Sequence, residues 1–182
     1  SNEWILVLDP DEEISIGLKN KLLEVVSKFK HINYVKIPRK NIIFGYWMKT
    51  AMWWPDYNIR FFKKGTIEWD SKIHSIPMVT GDGIDLPQDE SLAIIHNNYE
   101  DLDRYLEKMI RYTKIQAKEL KDQGYIFNWK DLITKPVSEF LSRFFLNGGY
   151  KDGLHGLVLS LLQAFSFLVL YIQLWKDIGY KQ

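Results

Sequence analysis

Trp4-Ile5-Leu6-Val7-Leu8-Asp9-Pro10-Asp11-Glu12-Glu13 is the stretch on which the reading of this chain turns. Five consecutive apolar residues predict a short buried strand, of the kind found inside a parallel or mixed sheet. Pro10 has no N–H to give a ladder, so the acids gather at the carboxyl end of that strand. Open α/β sheets bind ligands outside the carboxyl ends of their strands. Asp9 and Asp11 stand two residues apart, where two carboxylates can share one hard divalent cation, Mg²⁺ or Mn²⁺. The same residues also read as an acidic turn that caps the following helix.

Beyond this stretch, a helix is predicted over about residues 16–30, with Leu18, Leu22, Val25, Val26 and Phe29 on one face. Residues 32–64 read as β-rich, with strands at 33–37, 42–45 and 57–62 and a turn at Lys63-Lys64-Gly65-Thr66. A short strand is predicted over 67–73. Pro77, Gly81, Gly83 and Pro87 predict loop over 75–91, and Leu92-Ala93-Ile94-Ile95-His96 reads as a strand. Leu102, Tyr105, Leu106, Met109, Tyr112, Gln116 and Leu120 fall at helical spacing, after a cap at Asn97 or Asn98 and before a stop at Gly124. A further helix is predicted over about 137–146, broken by Asn147-Gly148-Gly149.

Residues 153–175 contain no Asp, Glu, Lys or Arg. That is enough to cross a bilayer, for which ~20 residues suffice. His155, Ser160, Gln163, Ser166 and Gln173 interrupt the run, mostly near one helical stripe. A span, an interfacial helix and a helix buried in a core or dimer all fit this pattern. Lys151 and Lys176 flank it, and Trp175 and Tyr180 sit where an interfacial belt would be.

Composition narrows the classes. The 182 residues are 46% hydrophobic and 26% charged, which excludes a disordered chain. The 24 basic and 23 acidic residues balance to +1, which argues against a protein that coats nucleic acid. With no cysteine, disulfide scaffolds, Cys-ligated zinc and thiol catalysis are excluded. Aromatics reach 15%, and such flat, amphipathic rings suit sugars, interfaces and membrane boundaries.

Three further groups can carry chemistry. His96 ends a strand and can offer its imidazole to the same cation as Asp9 and Asp11, or be satisfied by neighbours near a helix start. In Trp53-Trp54-Pro55-Asp56-Tyr57-Asn58-Ile59-Arg60-Phe61-Phe62-Lys63-Lys64-Gly65, a ring such as Trp54 can stack on a sugar or base. Arg60 and Lys63 can meet phosphate oxygens, and Asp56 can bind a hydroxyl. The plainer reading is an amphipathic edge strand with a basic turn. Asp70, next to Trp69, with His74 and Asp82, offers an acid or base, although such residues in loops are usually solvated.

Taken in order, WILVLDPDEEIS, WWPDYNIRFFKKG, the stretch ending at His74, IIHNNYEDLDRYLEKMIRYTKIQAKEL and the long run from Lys135 to Trp175 resemble the family-2 glycosyltransferases. The branch is the one similar to bacterial lipopolysaccharide-core and cell-surface polysaccharide transferases. The resemblance implies an α/β fold: a partial GT-A-type mixed sheet with flanking helices over 1–98, then a helical region over 99–182 whose hydrophobic helix associates with a membrane or a second copy. It implies inverting transfer from a nucleotide-diphosphate sugar to a glycan or lipid-linked acceptor. Asp9 and Asp11 match the family's Asp-x-Asp, which holds Mg²⁺ or Mn²⁺. His96 matches a metal-facing His, Arg60 the Arg near the donor, and Asp56 lies in the same loop on the acceptor side, with Trp54, Lys63 and His74 as further substrate contacts.

The implied location is the cytoplasmic face of a bacterial inner membrane, peripheral or anchored. There are two departures. His74 is followed by Ser75 where the branch usually has Glu, so Asp56, Asp70 and Asp82 compete as general base. The family's first nucleotide-binding strands have no counterpart here, which leaves an exposed sheet edge and an expectation of homo-oligomers. A non-catalytic glycan- or membrane-docking module is the alternative.

Overall fold

The computed structural model describes residues 3–68 and 78–180. Asp70, His74 and most of the strand expected over 67–73 lie outside the described residues. Among the described residues the fold is mixed α/β, with a mixed sheet and four α-helices, the last of them long and apolar. The chain divides into two compact units, Ser1–Ile42 with Trp53–Asn98, and Ile43–Met52 with Tyr99–Gln182.

In the first unit the sheet runs in the order β1 (Trp4–Leu6), β5 (Asp56–Lys63), β3 (Ile32–Ile43), β9 (Ile94–Tyr99), β2 (Glu12–Ile14). β1 is therefore an edge strand, antiparallel to β5, and not an interior strand of the sheet. Its apolar run is explained by one face only, since Trp4, Leu6 and Leu8 alternate onto the core. The acids after it do not cap the next helix. Ser15 does, its Oγ accepting the N–H of Leu18 at 2.9 Å to start α1 (Ile16–Lys28).

α1 lays Leu18, Leu22 and Val25 on Val35, Ile37, Phe61, Leu86 and Ile94. β3 runs unbroken through Pro38, where two strands were expected, because a proline forfeits a single ladder donor and the pairing resumes on either side. Two short strands occupy the expected loop: β7 (Met78–Val79), paired with β6 (Ile67–Glu68), and β8 (Asp82–Asp85), parallel to β3.

In the second unit, Phe44 and Gly45 both take positive φ and turn the chain into β4 (Tyr46–Trp47). The buried Asp152 carboxylate holds the segment that follows. It accepts the N–H groups of Lys49 and Thr50 at 3.0 and 2.8 Å and the Thr50 hydroxyl at 2.6 Å. α2 (Leu102–Asp122) is capped by Asp101, because Asn97 and Asn98 are still in β9. α3 (Asp131–Leu141) starts well before the expected position and tolerates Pro136, losing one hydrogen bond near its start. It continues into a π turn, Ser142–Leu146.

α4 (Gly153–Asp177) has two unlike faces. Gln163 donates to the Tyr105 hydroxyl at 2.9 Å and Gln173 to the Thr113 hydroxyl at 3.1 Å, so two polar interruptions of the apolar run are its contacts to α2. Leu170, Tyr171 and Leu174 pack with Ala117 and Phe127. The other side leaves Leu154 73% and Leu161 52% exposed, with Phe165 and Ile172 also in solvent. Within Gly149–Asp177 an 18-residue window has a mean hydropathy of 2.1, and by length and composition alone the helix is long enough to cross a membrane.

α4 can pack closely at its start only because Gly156 has no side chain. A Cβ there would lie 1.8 Å from the Gly149 carbonyl oxygen, a backbone atom that cannot swing away. Gly156→Ala is therefore expected to destabilise the helical unit by about 2 kcal/mol or more. Urea unfolding followed by circular dichroism reads this directly, and an unchanged midpoint would contradict the packing.

Candidate functional site

Asp9-Pro10-Asp11-Glu12 forms a tight turn. The Glu12 N–H donates to the Asp9 carbonyl at 3.0 Å, and the Asp9 N–H returns a bond to the Glu12 carboxylate at 3.1 Å. Pro10 presets the backbone at the second turn position. The turn swings Glu12 inward, where its side chain is fully buried, and leaves Asp9 and Asp11 facing solvent at 50% and 37% exposure.

Strand register assembles the rest. Arg39 stands opposite Asp56 across β3 and β5, and Glu12 stands opposite His96 across β2 and β9. Between the pairs Val35–Phe61 and Lys36–Ile59, Arg60 is an extra residue on β5, a β-bulge. Bulges re-aim side chains, and this one brings the Arg60 guanidinium to Glu12 at 3.0 Å and to Asp9. Arg39 reaches Glu12 at 3.2 Å and Asp56 through two nitrogens at 2.8 and 2.6 Å. Burial works against the charge on Arg39, but Asp56 and then Glu12 more than offset it and hold the guanidinium above its ordinary pKa. The Arg60 Nε is a buried donor without a hydrogen-bond partner among the described residues.

The imidazole of His96 is set by Asn41. The Asn41 amide nitrogen donates to the Trp53 carbonyl at 3.0 Å and to Asp56 at 3.1 Å, which turns its oxygen toward His96. That oxygen lies 2.7 Å from His96 Nδ1 and can only accept, so Nδ1 carries the proton. In the neutral ring Nε2 is then the acceptor nitrogen, and it lies 3.5 Å from Asp11 Oδ2. When the ring is protonated the two form an ion pair; when it is neutral, Nε2 and the carboxylate oxygen can share a cation, and a second partner that fixes the tautomer is a feature of metal-ligating His residues.

The charge points the same way. Four carboxylates (Asp9, Asp11, Glu12, Asp56) meet two guanidiniums (Arg39, Arg60), leaving two formal negative charges. No group of three His, Asp or Glu side chains arranged to hold a metal exists among the described residues. A cation at Asp11 and His96 would have to draw its remaining ligands from elsewhere, as Mg²⁺ usually does from water and substrate phosphate.

Of the residues singled out in the sequence, Asp9, Asp11, Asp56, Arg60 and His96 converge here. Trp54 is half-buried and precedes Pro55, joined to it by a cis peptide just before β5. Lys63 lies at the far end of β5, where it donates to the Lys30 carbonyl at 2.9 Å. Asp82 is exposed opposite Ile32, at the end of β3 remote from Arg39 and Asn41. Sequence reasoning missed Glu12, Arg39 and Asn41. The alternation of Val35, Ile37, Arg39 and Asn41 on one strand face was the available signal, hidden by a strand thought to end before Pro38.

Breaking a buried pair by removing one partner typically costs 3–5 kcal/mol. Glu12→Gln, which leaves two arginines around a neutral amide, is expected to cost about 3 kcal/mol in thermal or denaturant unfolding. A loss below 1 kcal/mol, of the size seen for exposed ion pairs, would show that Glu12 does not bridge them.

No family model matches the chain, and no solved structure matches it. Among curated proteins it is 26% identical over 176 residues to an uncharacterized glycosyltransferase of Rickettsia typhi, covering 91% of this chain and 59% of that protein. It is 23% identical over 171 residues to the lipopolysaccharide core biosynthesis glycosyltransferase LpsC of Rhizobium meliloti, covering 92% and 62%. An uncharacterized glycosyltransferase of Rickettsia conorii is 23% identical over 176 residues, covering 91% and 61%. The chain spans about six-tenths of the length of these relatives. Over nine-tenths of its own length it is thus similar to glycosyltransferases, one of them named for lipopolysaccharide core biosynthesis.

Proposed function

We propose that this chain is the metal- and acceptor-side portion of a family-2-like, GT-A-type glycosyltransferase that moves a sugar from a nucleotide diphosphate to a glycan or lipid-linked acceptor of the cell envelope, with inversion. The observation that carries the reading is the Asp11–His96 pair, whose tautomer is set by Asn41. The named relatives supply the reaction class.

In this reading Asp11 and His96, with Asp9 beside them, hold Mg²⁺ or Mn²⁺. The ion would neutralise charge on the leaving diphosphate as the glycosidic bond breaks. Arg60 links Asp9 to Glu12 and so fixes the turn that presents Asp9 and Asp11. Asp56 has a positioning role, because its oxygens accept from Arg39, Asn41 and Asn58 and a general base needs a lone pair turned to the acceptor hydroxyl.

The test is isothermal titration of Mn²⁺ into this chain, alone and with UDP, GDP or CDP, repeated on Asp11→Ala. The expected result is Mn²⁺ binding strengthened by one nucleotide and lost in the variant. Binding unchanged by Asp11→Ala removes the metal assignment. Binding of Mn²⁺ with no nucleotide effect favours the docking-module reading.

The same proposal places the helical unit on the cytoplasmic leaflet of the inner membrane. Its support is the exposed apolar side of α4 and exposed Ile133, Val137 and Leu141 on α3, with Trp129 and Tyr150 also in solvent. Lys130, Lys151 and Lys176 are exposed nearby in the sequence and suit anionic headgroups. Sedimentation with phosphatidylglycerol vesicles is expected to carry the chain down, and Leu154→Asp with Leu161→Asp to release it. Equal sedimentation of both forms would argue against this placement.

A further inference from the structure

The helical unit contains a cavity of about 420 Å³ that the proposed chemistry does not use. This is within the range of small-molecule sites. Tyr99, Tyr112 and Phe167 line it with rings. Gln116, Glu139, Arg143 and Gln163 line it with polar groups.

Three of those polar groups, Glu139, Arg143 and Gln163, are held in place before any ligand arrives. Arg143 Nε meets Glu139 at 2.5 Å, and its Nη1 donates to the Ala51 carbonyl at 2.8 Å. Both side chains of the pair are only 16% exposed. Gln163 is tied to the Tyr105 hydroxyl. Fixed donors and acceptors lower the ordering cost of binding.

The lining selects a ligand class. An acyl chain would cover an ion pair and two glutamines without offering a single hydrogen bond, which is costly. A pyranose offers hydroxyls to planar carboxylate, guanidinium and amide groups, and an apolar C–H face to aromatic rings. We propose that this cavity binds a sugar ring of a glycan. Its assignment to the acceptor rests on the glycosyltransferase reading; its chemistry does not.

The probe is the core oligosaccharide freed from lipopolysaccharide by mild acid, followed by saturation-transfer NMR on this chain, with uridine and dodecanoate as competing arms. Oligosaccharide binding is expected, weakened roughly fivefold or more by Gln116→Ala and by Tyr112→Ala, about one lost contact each. Tyr112→Phe, which keeps the ring, should retain most of the binding, and Asp11→Ala should leave it unchanged. Circular dichroism confirms that each variant folds, and the exposed position of Gln116 makes that variant the safest.

Absence of oligosaccharide binding, binding unmoved by both cavity variants, or stronger binding of uridine or dodecanoate that those variants abolish would overturn the proposal. The two readings fail separately. Sugar binding that follows the cavity variants, in a chain without a nucleotide effect on Mn²⁺, rejects the transferase and keeps the cavity. The reverse pattern rejects the cavity alone.

Discussion

One buried carboxylate organises the first unit. Glu12 lies between Arg39 and Arg60, and through them it connects the Asp9–Glu12 turn to β3 and β5. A fully buried charge is tolerable only when paired and hydrogen-bonded, and here each guanidinium also binds a second carboxylate. The consequence is geometric. With Glu12 turned inward to satisfy the arginines, Asp9 and Asp11 are held at the surface of the cluster, where a ligand can reach them.

Asn41 plays a comparable part with no charge at all. Its amide is oriented by two acceptors, and that orientation decides which nitrogen of His96 carries the proton. A metal-facing reading of His96 thus depends on a neutral side chain on another strand. The bulge at Arg60 belongs to the same construction, since one extra residue on β5 lets Phe61 fill the core while Arg60 reaches the carboxylates.

The second unit answers a different constraint. α4 is more apolar than its packing requires, and only one side of it is covered by neighbours among the described residues. The two glutamines on that side are satisfied by Tyr105 and Thr113, so they do not weaken the helix, and they give its packing on α2 a fixed register. The remaining apolar side is exposed, and it is what supports the proposed membrane placement.

Much of this was legible in the residues. The apolar run with its acids, the periodic stripe of α2 and the uncharged stretch of α4 are local patterns, because burial imposes a period on each element. Asp9, Asp11, Arg60 and His96 were legible as types of chemistry. Their company was not. That β1 is an edge strand, that β3 passes through Pro38, that residues 43–52 pack with the helices, and that Glu12, Arg39 and Asn41 complete the cluster all depend on pairing between strands far apart in the chain. Periodicity reports which face of an element is buried. Only strand register and one bulge decided which polar side chains meet there, because those contacts are set by residues that the local pattern never brings together.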